Sequence, residues 1–496
     1  MTTRKDWFIL LSLFVLTFIP RLLLLSKGPF HYDVAEYLVS MRERTALFHT
    51  AGFPLVAFLL VFIAHARDLV CPRLGDLPII LFLTALCASL ASLFLYETFK
   101  RLFGRTLALL YAALISFIPP FFSVSTFGRI DQSIAVMFMP VSIFFFFRKR
   151  LIWCALCLSL CIASRPESGI LLCVYLAALF FERGCEKGAP FPRRFFSFFK
   201  EGSCLVVLSL VPVALIALVT PGCGRFFGMF TGVLTSHRES FNSEVFGGIS
   251  LRRIGEGARL IFKMAWLPVA LAGCGVLKKL LDRGFRETAF FLAGFLFFFV
   301  ALVNMQVLAV RYFIFPLFFL FFFTSVALAS LKRFVFIRNV VACLCVVTML
   351  TPVFFIIYSR HLHAYQSDFA RRVEKITGPG SLIITQDEKI FFTYYTRSQV
   401  LQPPLGRDKQ EWTSFLDELK GAFAAGRPVY LMATGLSYDP FLIFRRLIQN
   451  EFYVRVVDAQ INEDWYGRET DQHLFVEQVF RIIPEALVHT PKTESY

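Results

Sequence analysis

The composition of the chain is that of an integral membrane protein. Of its 496 residues 57% are apolar, 62 are Phe, and the formal net charge is +16. Soluble globular domains do not reach these values. The basic charge does not indicate a nucleic-acid partner, because residues 359–496 contain 16 Lys and Arg against 18 Asp and Glu. The excess of basic residues belongs to residues 1–358, where basic loops set the orientation of membrane spans, so nucleic-acid binding is not expected.

Long apolar segments follow one another through residues 1–358. About 20 apolar residues are needed to cross the hydrocarbon core of a bilayer, and the pattern predicts a polytopic α-helical membrane domain with about eleven transmembrane helices. The predicted spans are 7–25, 78–97, 106–122, 130–147, 151–163, 168–181, 203–220, 261–277, 288–303, 310–329 and 338–358. The fifth and sixth are short and flank Arg165, Pro166 and Glu167. They predict a helical hairpin whose turn dips toward the bilayer and faces protein or water.

A twelfth apolar segment, 51–66, decides the sidedness of everything after it, because one more crossing would invert every later loop. If this segment does not cross and the N-terminus is cytoplasmic, 20 Lys and Arg residues lie in short segments on the cytoplasmic side. That distribution satisfies the positive-inside rule. We therefore expect 51–66 to lie in or dip into the interface. The first loop, 26–77, the loop 221–260 and the tail then lie on the exoplasmic side, which is the periplasm if the membrane is a bacterial inner membrane.

The hydropathy falls after residue 358, and the pattern of residues 359–496 predicts a small soluble α/β domain. Segments 381–385, 429–433 and 453–458 are typical of short strands. Segments 411–426 and 439–449 have the apolar period of amphipathic helices. The alternation indicates a layered α/β domain, for which we expect a recognition or gating role.

Charged residues lie at the exoplasmic ends of several predicted spans. A charge at membrane depth is costly and is a functional candidate by default. Arginines near the interface can pair bidentately with a phosphate at headgroup level, and an aspartate beside it can act as a general base or help to hold a divalent cation. The alternative is that the loop carboxylates are simply solvated. The candidates are His31, Asp33 and Glu36 in the first loop, Arg129 and Asp131 before the fourth span, Arg165 and Glu167 in the hairpin turn, and Arg311 at the start of the tenth span.

Short motifs in a fixed order resemble the GT-C type membrane glycosyltransferases, especially the protein O-mannosyltransferase-like and aminoarabinose-transferase-like members. "YDVAEYL" after the first span resembles the acidic first-loop motif of that family, and "HTAGFPLVAFLL" resembles its His-Pro-Pro-Leu segment. "YETFKRLFGRTLALLYAALI" is similar to a cytoplasmic turn of the family, "IASRPESGILL" to its hairpin turn and "RYFIFPL" to its late Arg-Tyr-x-x-x-Pro motif.

The resemblance implies transfer of a sugar from a polyprenyl-phosphate-linked donor to a lipid, glycan or protein acceptor on the outer face, with inversion at the anomeric carbon. The first-loop aspartate is the catalytic carboxylate of the family, and that role falls on Asp33. Arg165 and Arg311 are expected to contact the donor phosphate. The remaining substrate-binding candidates are His31, Glu36, Arg129 and Glu167.

The chain departs from the family pattern at two of these motifs. Many members have adjacent Asp and Glu residues in the first loop, whereas Asp33 is followed by Val34, and "HTAGFP" lacks the paired prolines. The missing second acid leaves the need for a divalent cation open. Asp131 resembles the second acidic motif of oligosaccharyltransferase catalytic subunits and would be a metal ligand if the reaction uses a metal. Otherwise it is a helix N-terminal acid favoured by the helix dipole.

Two arginine roles have structural alternatives, and the function has rivals from other classes. Arg165 could pair with Glu167 in the hairpin turn, and Arg311 could be an interface anchor. A transporter or flippase of a lipid-linked substrate is the main alternative function. Such proteins often have internal repeats and midplane charges, but the two halves of this chain show no convincing repeat and the charges group at one interface. A non-catalytic membrane scaffold is the third possibility.

Overall fold

The chain folds into two compact units, each with its own core. The computed structural model describes residues 4–29, 31–184, 191–223, 250–304, 310–386, 389–404, 408–433, 442–462 and 475–484. By internal contacts the first unit is Met1–Ser26 with Ser40–His361, and the second is Lys27–Val39 with Leu362–Tyr496. Part of the first loop thus belongs with the tail.

The described part of residues 4–362 consists of helices joined mostly by short turns, and these helices belong to the first unit except for residues 32–39 and Leu362, which belong to the second. Glycine and proline account for several of the boundaries. Gly104, at φ +90°, ends one helix and precedes the next, a backbone conformation that costs glycine little. The described helices are α1 Arg4–Leu23, α2 Tyr32–Glu43, α3 Phe48–Ala51, α4 Pro54–Val70, α5 Asp76–Phe103, α6 Arg105–Ser116, α7 Pro119–Thr126, α8 Ile130–Phe147, α9 Leu151–Ser164, α10 Ile170–Gly184, α11 Phe191–Val219, α12 Leu251–Leu281, α13 Phe285–Val303, α14 Ile314–Ser330 and α15 Val335–Leu362, with 3-10 turns at Pro166–Gly169 and Val310–Phe313.

Every one of the eleven predicted spans coincides with a helical segment. Among the described residues, eight helices are long and apolar enough to cross a membrane, and a ninth span is obtained if the bent pair α6 and α7 counts as one. The other two are α9 and α10, with 14 and 15 residues, and they form the short hairpin that the sequence predicts. The mostly helical multi-pass architecture is therefore confirmed.

The third predicted span, 106–122, is not one straight helix. It is broken between α6 and α7 with a bend of 58°, because Pro119 and Pro120 open the second helix and proline cannot continue a helical hydrogen-bond ladder. The guanidinium of Arg21, which is fully buried, donates a 2.5 Å hydrogen bond to the Ser116 carbonyl at the end of α6. It also donates to Ser125 Oγ in α7 at 2.7 Å. A buried arginine thus satisfies a helix end that water cannot reach.

The segment 51–66 forms a helix of its own. It corresponds to α4, which has 17 residues and begins at a proline. This helix packs against α9 and α11 within the first unit, so it is part of the helical bundle. Its predicted place in the membrane interface stays a prediction.

Phenylalanines dominate the core of the first unit around α14. The rings of Phe291 and Phe322 stack with centroids 3.7 Å apart, and Tyr111 donates a hydrogen bond of 2.5 Å from its hydroxyl to the Phe318 carbonyl. The ring of Tyr111 makes edge-on contacts with Phe318 and Phe322, and contacts of this kind stabilise a core beyond the area that the rings bury. Small residues let the neighbouring helices approach α14 closely, and Gly275 of α12 lies directly against the Phe323 backbone.

The second unit contains a five-stranded mixed sheet with the order β2-β1-β3-β5-β4. The strands are β1 Leu382–Ile384, β2 Gln399–Leu401, β3 Val429–Met432, β4 Phe452–Asn462 and β5 Phe475–Pro484, and the described helices of the tail are α16 Tyr365–Thr377, α17 Lys389–Tyr395, α18 Lys409–Ala424 and α19 Ile443–Glu451. β1 pairs in parallel with β2 and β3, whereas β5 is antiparallel to β3 and β4.

Helices cover both faces of this sheet. Trp412 and Phe415 of α18 pack with Leu382 on one face, and Phe369 of α16 packs with Ile383 on the other. The small sheet that the sequence predicts is confirmed, with predicted strands at β1, β3 and β4 and predicted helices at α18 and α19. The sequence analysis did not identify β2, β5, α16 or α17.

Close packing at Gly275 provides a stability test. We expect Gly275→Ala to lower the melting temperature of the protein in nanodiscs, because a Cβ there would collide with the backbone of Phe323, which cannot rotate aside. Overpacking of this kind costs about 1–3 kcal/mol. Gly273→Ala in the same helix is the matched control, since a Cβ at Gly273 meets no atom within 4 Å. Equal melting temperatures for the two variants would contradict the packing of α12 on α14.

Candidate functional site

Arg129 and Asp131 form a buried ion pair at the boundary between α7 and α8. Gly128, at φ +98°, makes the turn between the two helices. The guanidinium then donates to both carboxylate oxygens, from Nε to Oδ1 at 2.9 Å and from Nη2 to Oδ2 at 2.8 Å. Neither side chain is exposed. Asp131 also lies in the first turn of α8, where the helix dipole favours a negative charge.

The hairpin turn between α9 and α10 brings a second arginine to the same carboxylate. Arg165 Nη1 donates to Asp131 Oδ2 at 2.8 Å, and Arg165 Nη2 donates to Glu167 Oε1 at 2.7 Å. Pro166 opens the 3-10 turn that carries Glu167, and proline is well suited to that first position. The side chain of Arg165 is 3% exposed. The predicted pairing with Glu167 is thus present, together with a pairing across to α8.

Aromatic rings enclose Arg165 on two sides. Its guanidinium carbon lies 5.2 Å from the ring centroid of Phe53 and 5.7 Å from that of Tyr312. Arg311 lies over the same tyrosine ring at 5.0 Å and donates to its hydroxyl at 3.5 Å. Cation–π contacts of this kind gain strength when the site is desolvated. The sequence analysis quoted the "GFP" and "RYF" motifs but did not assign roles to Phe53 or Tyr312.

Four chain segments therefore meet at one cluster, which we call the arginine cluster. It contains Arg129, Asp131, Arg165, Glu167 and Arg311, with Phe53 and Tyr312 against the guanidinium groups. Sequence reasoning predicted that the five charged residues lie on one face of the membrane, and the structure brings them together. Their roles toward a substrate stay predictions.

Arg165 has a buried hydrogen-bond donor that is not satisfied within the described part of the chain. Its two terminal nitrogens donate to Asp131 and Glu167, but Nε has no hydrogen-bond acceptor there. A buried donor without an acceptor costs about 1–3 kcal/mol. An anion placed against Arg165 would supply the missing acceptor.

His31, Asp33 and Glu36 lie in the second unit at the start of α2. The carbonyl of His31 accepts hydrogen bonds from the amides of Val34 and Ala35, which begins the helix. The Asp33 amide donates to His31 Nδ1 at 3.2 Å, and the Asp33 carboxylate lies 3.6 Å from the same nitrogen. The Asp33 side chain is 13% exposed. Its position in the first helical turn favours the ionised carboxylate, the form that a general base requires.

The described residues do not assemble a metal site. No group of three or more His, Cys, Asp and Glu side chains with suitable spacing occurs in that part of the chain. Asp131, the predicted ligand, accepts hydrogen bonds from two arginines instead. Its role as a metal ligand stays a prediction.

Comparison with known proteins points to one superfamily. The sequence profile described as dolichyl-phosphate-mannose-protein mannosyltransferase matches residues 76–192, a range that contains four of the five charged residues of the arginine cluster. No curated protein sequence matches the chain significantly.

Solved structures of membrane glycosyltransferases have the same architecture. ArnT from Cupriavidus metallidurans bound to undecaprenyl phosphate is similar with a TM-score of 0.58 and 13% identity, over 97% of this chain and 98% of that one. The oligosaccharyltransferase of Archaeoglobus fulgidus in its apo form is similar with a TM-score of 0.55 and 13% identity, over 87% of this chain and 70% of that one. Its complex with Zn and sulfate is similar with a TM-score of 0.54 and 13% identity, over 85% of this chain and 68% of that one. The predicted resemblance to GT-C glycosyltransferases is confirmed, and the chain has the GT-C fold.

The shared carboxylate of the arginine cluster can be tested through stability. We expect Asp131→Asn to lower the free energy of unfolding by about 3–5 kcal/mol, because it leaves buried guanidinium groups without their counter-charge. Thermal unfolding in nanodiscs measures the loss. The control is Asp282→Asn, which breaks the exposed pair with Lys278 and should change stability by less than about 0.5 kcal/mol. A similar small effect for both variants would show that Asp131 is not the central counter-ion.

Proposed function

We propose that the protein transfers a sugar from a polyprenyl-phosphate-linked donor to an acceptor on the exoplasmic face of the membrane. The observation that carries the proposal is Arg165 in the arginine cluster, because this buried guanidinium has an unsatisfied Nε donor next to two aromatic rings. A phosphate monoester or diester at headgroup level has the charge and the acceptor oxygens that such a site requires. Undecaprenyl phosphate, which is bound in the ArnT structure, is a ligand of this class.

The geometry of the arginine cluster supports a separate role for each residue. Arg165 and Arg311 are proposed to contact the phosphate of the sugar donor. Arg129 and Arg165 both donate to Asp131. Asp131 and Glu167 together hold the Arg165 guanidinium and so fix the direction of its Nε–H group. When the bond between the anomeric carbon and the phosphate oxygen breaks, negative charge grows on that oxygen. Guanidinium groups already held in place stabilise this charge without reorganisation.

Asp33 is proposed as the general base for the acceptor. In the forward reaction an acceptor hydroxyl attacks the anomeric carbon from the side opposite to the leaving phosphate, which inverts the configuration. The new bond joins the acceptor oxygen to the sugar, the sugar–phosphate bond breaks, and the hydroxyl proton passes to the Asp33 carboxylate. The products are the glycosylated acceptor and polyprenyl phosphate. Glu36 and His31 are proposed to bind or orient the acceptor near Asp33.

The orientation of the chain is part of the proposal. A cytoplasmic N-terminus, with the short basic segments on the same side, satisfies the positive-inside rule. The first loop and the soluble domain are then exoplasmic, where a flipped lipid-linked sugar is presented. The arginine cluster is proposed to recognise the phosphate, which is common to lipid-linked donors with different sugars.

Removal of the proposed base should abolish turnover and leave the protein folded. We expect Asp33→Asn to lower kcat by about 10²–10⁴-fold, the usual contribution of general-base catalysis, with little change in the KM for the donor. The assay follows transfer of radiolabel from a panel of undecaprenyl-phosphate sugars to membrane extract by purified protein in nanodiscs. Full transfer activity in Asp33→Asn would disprove the role of Asp33. Movement of labelled donor across the bilayer of proteoliposomes, without sugar transfer, would favour the flippase alternative.

Substitution of Arg165 should weaken the affinity of the protein for the polyprenyl-phosphate sugar. We expect Arg165→Gln to raise the KM for the donor at least tenfold, because the guanidinium provides the charge and the free Nε donor. Arg165→Lys should be nearly as poor, since an ammonium group cannot donate in a planar fork. Arg333→Gln, at an exposed arginine, is the matched control and should leave KM unchanged. If Arg165→Lys retained wild-type kinetics, the role of the Arg165 Nε donor would be wrong.

A further inference from the structure

The start of the first loop lies directly against the first helix of the soluble domain, within the second unit. Gly28 is buried, and a Cβ at this position would lie 2.9 Å from Ala364 Cβ and 2.9 Å from Ser367 Oγ. Cβ atoms in proteins do not approach other heavy atoms so closely, so the contact requires glycine. The neighbouring Lys27 donates from Nζ to the Leu362 carbonyl at 3.3 Å. Two consecutive loop residues are thus held at the place where α16 begins.

The soluble-domain side of this contact cannot give way easily. The Ser367 hydroxyl donates to the Ala364 carbonyl at 2.8 Å, which holds its oxygen in the position that faces Gly28. The Ala364 methyl group has no rotamer through which it could move aside. Phe369 and Val373 further along α16 are buried against the sheet, so the helix cannot shift without loss of core contacts. A side chain at position 28 would therefore displace the loop and not the helix.

A short and restrained path joins this contact to the proposed base. Five positions separate Gly28 from Asp33, and Pro29, which is buried, fixes one of the backbone angles between them. At His31 the chain already enters α2, since its carbonyl accepts the first helical hydrogen bonds. Because only four residues lie between Gly28 and Asp33, we expect a movement of Gly28 by one side-chain diameter to reach the start of α2.

We infer that the soluble domain positions the catalytic carboxylate, and that Gly28 is the positioning residue through which α16 sets the place of Asp33. The inference rests on the proposed function, in which Asp33 is the general base. It gives the soluble domain a defined part in the reaction, because an acceptor or partner that shifts α16 would shift Asp33 as well. A misplaced base costs turnover much more than binding.

The test is a steric series at position 28 in the full-length protein in nanodiscs. Gly28→Ala and Gly28→Val should lower kcat progressively, with at least a tenfold loss for valine. The KM for the undecaprenyl-phosphate sugar and the number of donor molecules bound per protein should stay at the wild-type values. The binding stoichiometry separates misplacement of Asp33 from loss of folded protein, which would lower the number of sites.

Second-site rescue makes the test specific. Removal of the opposing atoms by Ala364→Gly and Ser367→Ala should restore at least half of the turnover lost in Gly28→Ala, since it makes room for the new methyl group. The same two substitutions alone should leave turnover close to the wild-type value. Gly421→Ala is the matched control in the same unit, because a Cβ there meets no atom within 4 Å.

Two results would overturn the inference. One is wild-type turnover in Gly28→Val while Asp33→Asn is inactive, which leaves the proposed function intact and removes only the role of Gly28. The other is a folded, donor-binding Gly28→Ala variant whose lost turnover does not return when space is made in α16. Retained turnover in Asp33→Asn is a different result, because it contradicts the assignment of the base and not the contact at Gly28.

Discussion

Two arginines share one buried aspartate, and the rest of the candidate site depends on that interaction. Asp131 accepts hydrogen bonds from Arg129 and from Arg165, which come from different helical turns. Each charge would be expensive at membrane depth without the others. The shared carboxylate therefore fixes the hairpin turn against the start of α8. It also leaves Arg165 Nε without an acceptor within the described residues, so the proposed anion site and the structural ion pair share one guanidinium group.

The sequence was informative about which residues belong to the site and less so about how they meet. The charges of Asp131, Arg165 and Arg311 were conspicuous because they interrupt apolar segments, and the order of the motifs indicated the GT-C class. Local pairing of Arg165 with Glu167 could be predicted from their separation by one residue. The contact from Arg165 to Asp131 could not, because it depends on how two helices pack, and the stacking on Phe53 and Tyr312 depends on the same packing.

The sequence predicted most helices of the membrane part, but it missed one helix break and part of the sheet. Hydropathy located the eleven helical segments of the membrane part, because a span must satisfy its own backbone hydrogen bonds. The break between α6 and α7 was missed although Pro119 and Pro120 mark it, since an unbroken apolar stretch dominates the hydropathy signal. In the soluble domain β1 and β3 were predictable as buried apolar runs. β5 was not identified, although it pairs antiparallel with β4, the strand before it in the chain, and with the more distant β3.

The central claim is that the arginine cluster binds the phosphate of a polyprenyl-linked donor, and a ligand-induced stability measurement tests it most directly. A ligand that binds only the folded protein raises its melting temperature with concentration. In nanodiscs, undecaprenyl phosphate should raise the melting temperature of the wild type, whereas undecaprenol, which has the same chain without the phosphate, should raise it much less. In Arg165→Gln the difference between the two lipids should shrink. Equal stabilisation by both lipids, or an undiminished phosphate effect in the variant, would contradict the account.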